Sequence, residues 1–155
     1  MDNGNPLIYT EEIKNFTNAL QNEGARLHKY EVKADDQWER DYDLVLIRYS
    51  EILMMKAEAS FRLNYIANAH GIVNDVRARA GLKALDKLTL EALDNEWRHE
   101  FVFEGLRRTT NIRFGTYFKP WWEKGVSEEY KALFPIPKNV LGLNPKLEQN
   151  PGYPK

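Results

Sequence analysis

With 155 residues, 43% of them hydrophobic and 29% charged, the chain has the size and composition of one ordinary globular domain or a piece of a larger one. A formal net charge of -1 excludes a general polyanion binder such as a nucleic-acid protein, whose surface carries a clear basic excess. The lack of cysteine excludes disulfides, thiolate metal sites and cysteine nucleophiles in this stretch, and no apolar run is long enough to span a bilayer.

Residues 1–41 read as a lead-in. Met1–Pro6 is rich in turn residues and carries neither the basic nor the apolar region of a secretion signal. A short helix is expected from Thr10, as its N-cap, to Leu20. Gln21–Asp41 is polar loop, with Lys29–Lys33 as its strand-like alternation.

The pattern of residues 42–64 predicts the principal helix. Arg48, Glu51, Glu58 and Arg62 project onto one narrow stripe, while Val45, Tyr49, Ile52, Leu53, Met54, Phe61 and other apolar side chains fill most of the remaining circumference. Arg48 with Glu51 and Glu58 with Arg62 have helical pair spacing, which makes the stripe a salt-bridge face that is solvated or lightly buried. A helix so apolar elsewhere needs neighbours on more than one side.

After a turn at Asn64-Tyr65, residues 67–80 predict a second helix. Its stripe is Ala69, Ile72, Val73, Val76 and Ala80, Gly81 caps it, and its small residues allow close approach to the first helix, with Arg77 and Arg79 pointing elsewhere. A third helix is expected over 89–108, with Thr89 as N-cap and Leu88 and Leu93 placed for a hydrophobic staple. On it Glu100 and Glu104 lie one turn apart and Arg107 and Arg108 one turn further, which predicts a charge ladder partly covered on the side of Leu93 and Trp97. Residues 114–155 lack helical periodicity and read as ordered loop, aromatic and proline-rich: Tyr117, Phe118, Pro120, Trp121, Trp122, Tyr130, Phe134, Pro135 and Pro137, then two Asn-Pro steps. The predicted fold class is therefore all-α, with tetratricopeptide-like helical hairpins followed by an irregular C-terminal region.

Five blocks in order carry a resemblance: Ile47–Ala59, Asn74–Leu82, Glu100–Arg107, Phe134–Pro137 and Asn144–Tyr153. From about Tyr42 onward the chain resembles the C-terminal part of the SusD/RagB family. That resemblance implies helices of tetratricopeptide type in a surface-exposed outer-membrane lipoprotein. Such a protein captures glycans or other nutrients and acts with a SusC-like TonB-dependent transporter, without cleaving what it binds. The chain departs from the family at Trp97, where the family carries arginine after the acidic residue, and at Thr110, where it carries an acid. A signal, a lipid-anchoring cysteine and most of the N-terminal portion have no counterpart here, so the chain is expected to correspond to a C-terminal segment, soluble by itself.

The residues leave three functional classes to compare. For nutrient binding, the candidate ligand residues are Trp121, Trp122 and Tyr117, whose flat faces suit the apolar C–H faces of sugar rings; the plainer reading is that these aromatics plug the core under a loop. For an interaction scaffold, the helical-repeat surface itself is the site. An enzyme is disfavoured: Glu100 and Glu104 on one helix face cannot flank a glycosidic bond, and Arg107 and Arg108 would keep both ionised. His28, His70 and His99 lack metal-ligand spacing, so no metal or cofactor is expected. Arg48, Glu51, Glu100, Glu104 and Arg107 are expected to form a structural charge network, and a lone segment with an uncovered principal helix is expected to self-associate.

Overall fold

In the computed structural model, residues 6–30, 43 and 45–154 are described. The chain divides into two compact units, Met1–Leu44 and Val45–Lys155.

In the first unit the expected helix from Thr10 to Leu20 does not form. Only Phe16–Asn18 makes a short 3-10 turn. The Asn15 side chain accepts from the Thr17 N–H, satisfying locally a donor that a helix would have used, which is how Asn competes with helix in general. Thr10 instead bridges in parallel to Glu23, its N–H donating to Asn22 O at 2.9 Å. The strand-like reading of Lys29–Lys33 lies largely outside the described residues.

The second unit contains α1 (Tyr49–Arg62), α2 (Ile66–Arg79), α3 (Leu90–Glu100), α4 (Arg107–Arg113) and α5 (Lys138–Leu143). Among the described residues there is no strand, only the isolated bridges Thr10–Glu23 and Trp121–Lys124. The predicted start of the first helix at Tyr42 lies outside the described residues. Arg48, expected inside that helix, has extended backbone and stands as its N-cap.

α1 and α2 form a hairpin closed by Asn64 in the left-handed region (φ 65°), with Tyr65 N–H on Ser60 O at 2.8 Å. Asn tolerates that conformation better than most side chains. Met54 and Ala57 of α1, Ala69, Val73 and Val76 of α2, and Leu93 and Trp97 of α3 make a core completed by Leu88 and Phe101. Of the α2 stripe Ala69, Val73 and Val76 are buried and Ile72 is partly buried, while Ala80 is exposed and caps the helix. Thr89 caps α3, its side chain accepting from Ala92 N–H at 3.0 Å, and Leu88 and Leu93 flank the cap from inside the core.

Two expectations need correction. The helix predicted over 89–108 is two helices, because Phe103 (φ 64°) and Gly105 (φ 77°) are both left-handed, and a right-handed helix cannot pass through such residues. The acidic stripe of α1 is not a solvated face: Glu51 and Glu58 are buried, while Tyr49 (75% exposed) and Leu63 (68%) face outward.

The C-terminal part is held by side chains acting on backbone. Gln149 accepts from Ile136 N–H at 2.8 Å and donates to Ile136 O at 2.9 Å, Asn150 donates to Phe134 O at 2.7 Å, and Tyr153 donates to Leu133 O at 2.8 Å. The helix α5 interrupts a stretch read from sequence as loop.

Candidate functional site

Of the five residues expected to form one charge network, the structure brings together Arg48, Glu100 and Glu104, across elements rather than along one helix. With extended backbone at the start of α1, Arg48 reaches to the end of α3 and the turn beyond it. Its Nε and one Nη donate to the two Glu104 oxygens at 2.7 and 2.8 Å. The other Nη donates to Glu100 Oε1 at 2.5 Å, and the Glu100 carbonyl oxygen accepts at 2.7 Å. The guanidinium also lies 4.6 Å over the Phe101 ring, and Arg79 adds a second cation to Glu100 at 2.7 Å. Burial works against the charge on Arg48, yet its hydrogen bonds to Glu104 and Glu100 prevail and raise its pKa. Burial pushes the Glu100 carboxyl up, but the Arg48 hydrogen bond and charge outweigh it and hold the pKa below its ordinary value.

Arg107 belongs to a different pair, forking Asp94 at 2.5 and 3.0 Å. Arg77, expected to point elsewhere, bonds Glu96 and the Lys83 carbonyl. Arg113 forks Glu58 at 2.8 and 2.9 Å while Arg62 holds the same carboxylate at 2.8 Å. Asp94, Glu96 and Arg113 were not assigned to the network from sequence: they lie outside the resembling blocks, and their partners stand 13, 19 and 55 residues away, beyond what helical spacing reports. Glu51 stands outside this wiring: its carboxylate has no hydrogen-bond or ion-pair partner among the described residues, and the expected pair with Arg48 is not made. Of the two departures noted in sequence, Trp97 fills the core against Phe101, ring centroids 4.9 Å apart, and Thr110 is buried with its hydroxyl donating back to the Leu106 and Arg107 carbonyls.

The aromatic candidates are built by the chain leaving α4. Thr116 and Tyr117 N–H groups donate to Asn111 O at 2.8 and 3.1 Å, closing the end of the helix. Arg108 then anchors the segment beyond α4: its guanidinium sits 3.9 Å over Phe134 and 5.3 Å over Tyr117 and donates to the Lys131 and Ala132 carbonyls at 2.9 and 3.1 Å. Trp121 and Lys124 exchange backbone hydrogen bonds at 3.0 and 2.7 Å, so Trp121 and Trp122 sit on a tight, fixed turn. Trp121 is 60% and Trp122 63% exposed, which overturns the reading of these indoles as a core plug. Tyr117 is half-buried, its ring contacted by Phe118 edge-on at 5.4 Å and by Arg108 and Lys124. It supports the turn more than it displays a face. Two exposed indoles on a turn closed by two backbone hydrogen bonds can take up an apolar or sugar-ring face.

Among the described residues no group of three His, Asp or Glu side chains is placed to hold a metal ion, and no helix is long and apolar enough to cross a membrane. His70 shares Nε2 between the Leu85 carbonyl at 2.7 Å and the Asn74 amide at 3.1 Å, a structural role.

The sequence pattern of the SusD family matches residues 1–132. The chain is 30% identical over 161 residues to the starch-binding protein SusD of Bacteroides thetaiotaomicron, an alignment spanning 97% of this chain and 29% of that protein. It is 28% identical over 149 residues to a SusD-like protein of Formosa agariphila, spanning 83% of this chain and 28% of that one. Among solved structures it is similar to the surface glycan-binding protein A from Bacteroides uniformis, with a TM-score of 0.56 and 30% identity over 66% of this chain and 26% of the other. The chain thus spans less than a third of the length of these relatives.

Proposed function

The chain belongs to the SusD family, and on that premise we propose that it is the C-terminal part of a non-catalytic nutrient-binding protein of the outer-membrane surface. It takes up glycan with a SusC-like TonB-dependent transporter, and its own contact with ligand lies at Trp121 and Trp122, braced by Tyr117. The observation that carries the site is the pair of exposed indoles held on the Trp121–Lys124 turn. The names of two relatives, one starch-binding and one glycan-binding, support the ligand class.

A binding role also fits the carboxylates. Retaining or inverting hydrolysis needs one carboxyl kept protonated on one side of the bond and a second carboxylate on the other. Glu100 and Glu104 instead converge on one guanidinium, and Glu100 is held ionised by it. Turnover of a chromogenic glycoside that disappears in Glu104→Gln would overturn this assignment.

The test of the site is affinity electrophoresis through gels containing soluble polysaccharides, with a Trp121→Ala/Trp122→Ala double variant alongside. Retardation by at least one glycan, abolished in the variant, is expected. Retardation that persists in the variant would move the site elsewhere, and none at all would leave this segment with a scaffolding or transporter-facing role.

A further inference from the structure

A second feature lies away from the indole turn, in a cleft of about 620 Å³ between α1 and α4 with Trp97 at its floor. Along α1 its wall is one stripe, Glu51, Met55, Glu58 and Ala59, Arg62, a run of roughly 16 Å at the helical rise. The two ends of that stripe differ electrostatically. At the Arg62 end Glu58 is held by both Arg62 and Arg113, which leaves that end with one positive charge in excess and sets the acceptor for a cation at the opposite end. At the other end Glu51 is 6% exposed and has neither a hydrogen bond nor an ion pair among the described residues. Its carboxylate opens onto the cleft rather than onto a protein partner, and in a partly enclosed cleft, where charges are less well screened than in bulk water, it attracts a cation.

The rest of the cleft selects the form of the cation. Thr109 and Thr110, which line it, spend their hydroxyl protons on the Leu106 and Arg107 carbonyls, so toward the cleft their oxygens can only accept. Met55 and Leu106 provide an apolar wall. One carboxylate with hydroxyl acceptors is too poor in charge for a divalent metal, which takes several oxygen ligands. It suits an ammonium, which offers three donors and no acceptor, and the volume is in the range of small-ligand sites.

We propose that this cleft binds a protonated primary amine carried on a body of monosaccharide size, the ammonium seated on Glu51. The site is separate from the indole turn and does not depend on it. The test titrates the isotopically labelled chain with D-glucosamine and with D-glucose at low ionic strength, following amide shifts by NMR. Saturable shifts at Met55, Ala59, Thr109 and Thr110 are expected with glucosamine, with glucose weaker by about tenfold or more, because a charge-assisted hydrogen bond is lost. Glu51→Gln is expected to abolish the difference between the two sugars. Ala59→Leu narrows the cleft from an exposed helical position and leaves Glu51 in place; it is expected to abolish the shifts as well, so the answer does not hang on the folding of one variant. The Trp121→Ala/Trp122→Ala variant is expected to respond as the parent does, which separates failure here from failure of the glycan reading. Equal response to the two sugars, no response, or a preference for glucosamine surviving either cleft substitution overturns the proposal. Shifts of the same amides that grow with protein concentration without sugar would seat a lysine or arginine of a second copy on Glu51, and would overturn it too.

Discussion

Arg48 has extended backbone where the periodicity expected helix, and this turns its side chain back toward Glu100 and Glu104. The members of that cluster were legible in the sequence because they fall in two of the resembling blocks. Their wiring was not, since helical spacing reveals only partners three or four residues apart and these stand 52 and 56 apart. Glu51 was grouped with them by spacing alone, and the structure leaves it to the cleft. Glu104 is 5% exposed at its side chain, so Glu104→Ala strands half of the Arg48 fork; a loss of about 3 kcal/mol in denaturant unfolding is expected, with Glu104→Gln losing less. The depressed carboxyl of Glu100 sets a pH dependence. Its contribution is complete above the ordinary glutamate value of 4.5 and disappears as pH falls through the lower value of the folded state. Melting temperature is expected to fall on acidification below about 4.5, and Glu100→Gln is expected to make that fall shallower.

At the scale of elements, helix number and type were readable wherever an apolar stripe was continuous, as in α2 and the capped start of α3. Boundaries failed where backbone conformation overrode periodicity. The break after α3 is the clearest instance: the ladder from Glu100 to Arg108 has good helical spacing, but Phe103 and Gly105 are left-handed, and no periodic count of charges reports that. α1 failed differently, since its circumference is mostly apolar and periodicity could not tell that Met54 and Ala57 turn inward together with Glu51 and Glu58 while Tyr49 and Ile52 stay outside. Two left-handed glycines differ in their surroundings. At Gly105 a Cβ would meet open space, whereas at Gly152 (φ 87°) it would stand 2.3 Å from Tyr130 Cγ. Gly105→Ala is expected to cost about 1 kcal/mol, the backbone term alone, and Gly152→Ala about 2 kcal/mol more from overpacking. Equal costs for the two in chemical denaturation would show that Tyr130 moves freely aside.

On the scale of the whole molecule, the second unit leaves an unusual amount of large apolar surface uncovered near α1: Leu46 (81% exposed), Ile47, Tyr49, Leu63 and Tyr65. Large exposed apolar side chains at the two ends of α1 offer surface for association. The chain alone is expected to self-associate, with a sedimentation coefficient rising over a hundredfold range of concentration; a constant monomer value would show that this surface is tolerated in water. The core and the family were visible in the sequence because both rest on patterned blocks. The indole turn and the cleft were only half visible: residue type named Trp121 and Trp122, but exposure and the isolation of Glu51 come from three-dimensional packing that spacing does not encode. The blocks are also joined to one another, the first to the third through Arg48 and the fourth to the fifth through Gln149 and Asn150. Residues in one network have non-additive effects, so substitutions at Arg48 and at Glu104 are expected not to add. Loss of Arg48 leaves Glu104 buried at a penalty, whereas Gln149 holds the main chain of Ile136 and fixes the path of the backbone whatever side chain stands at 136.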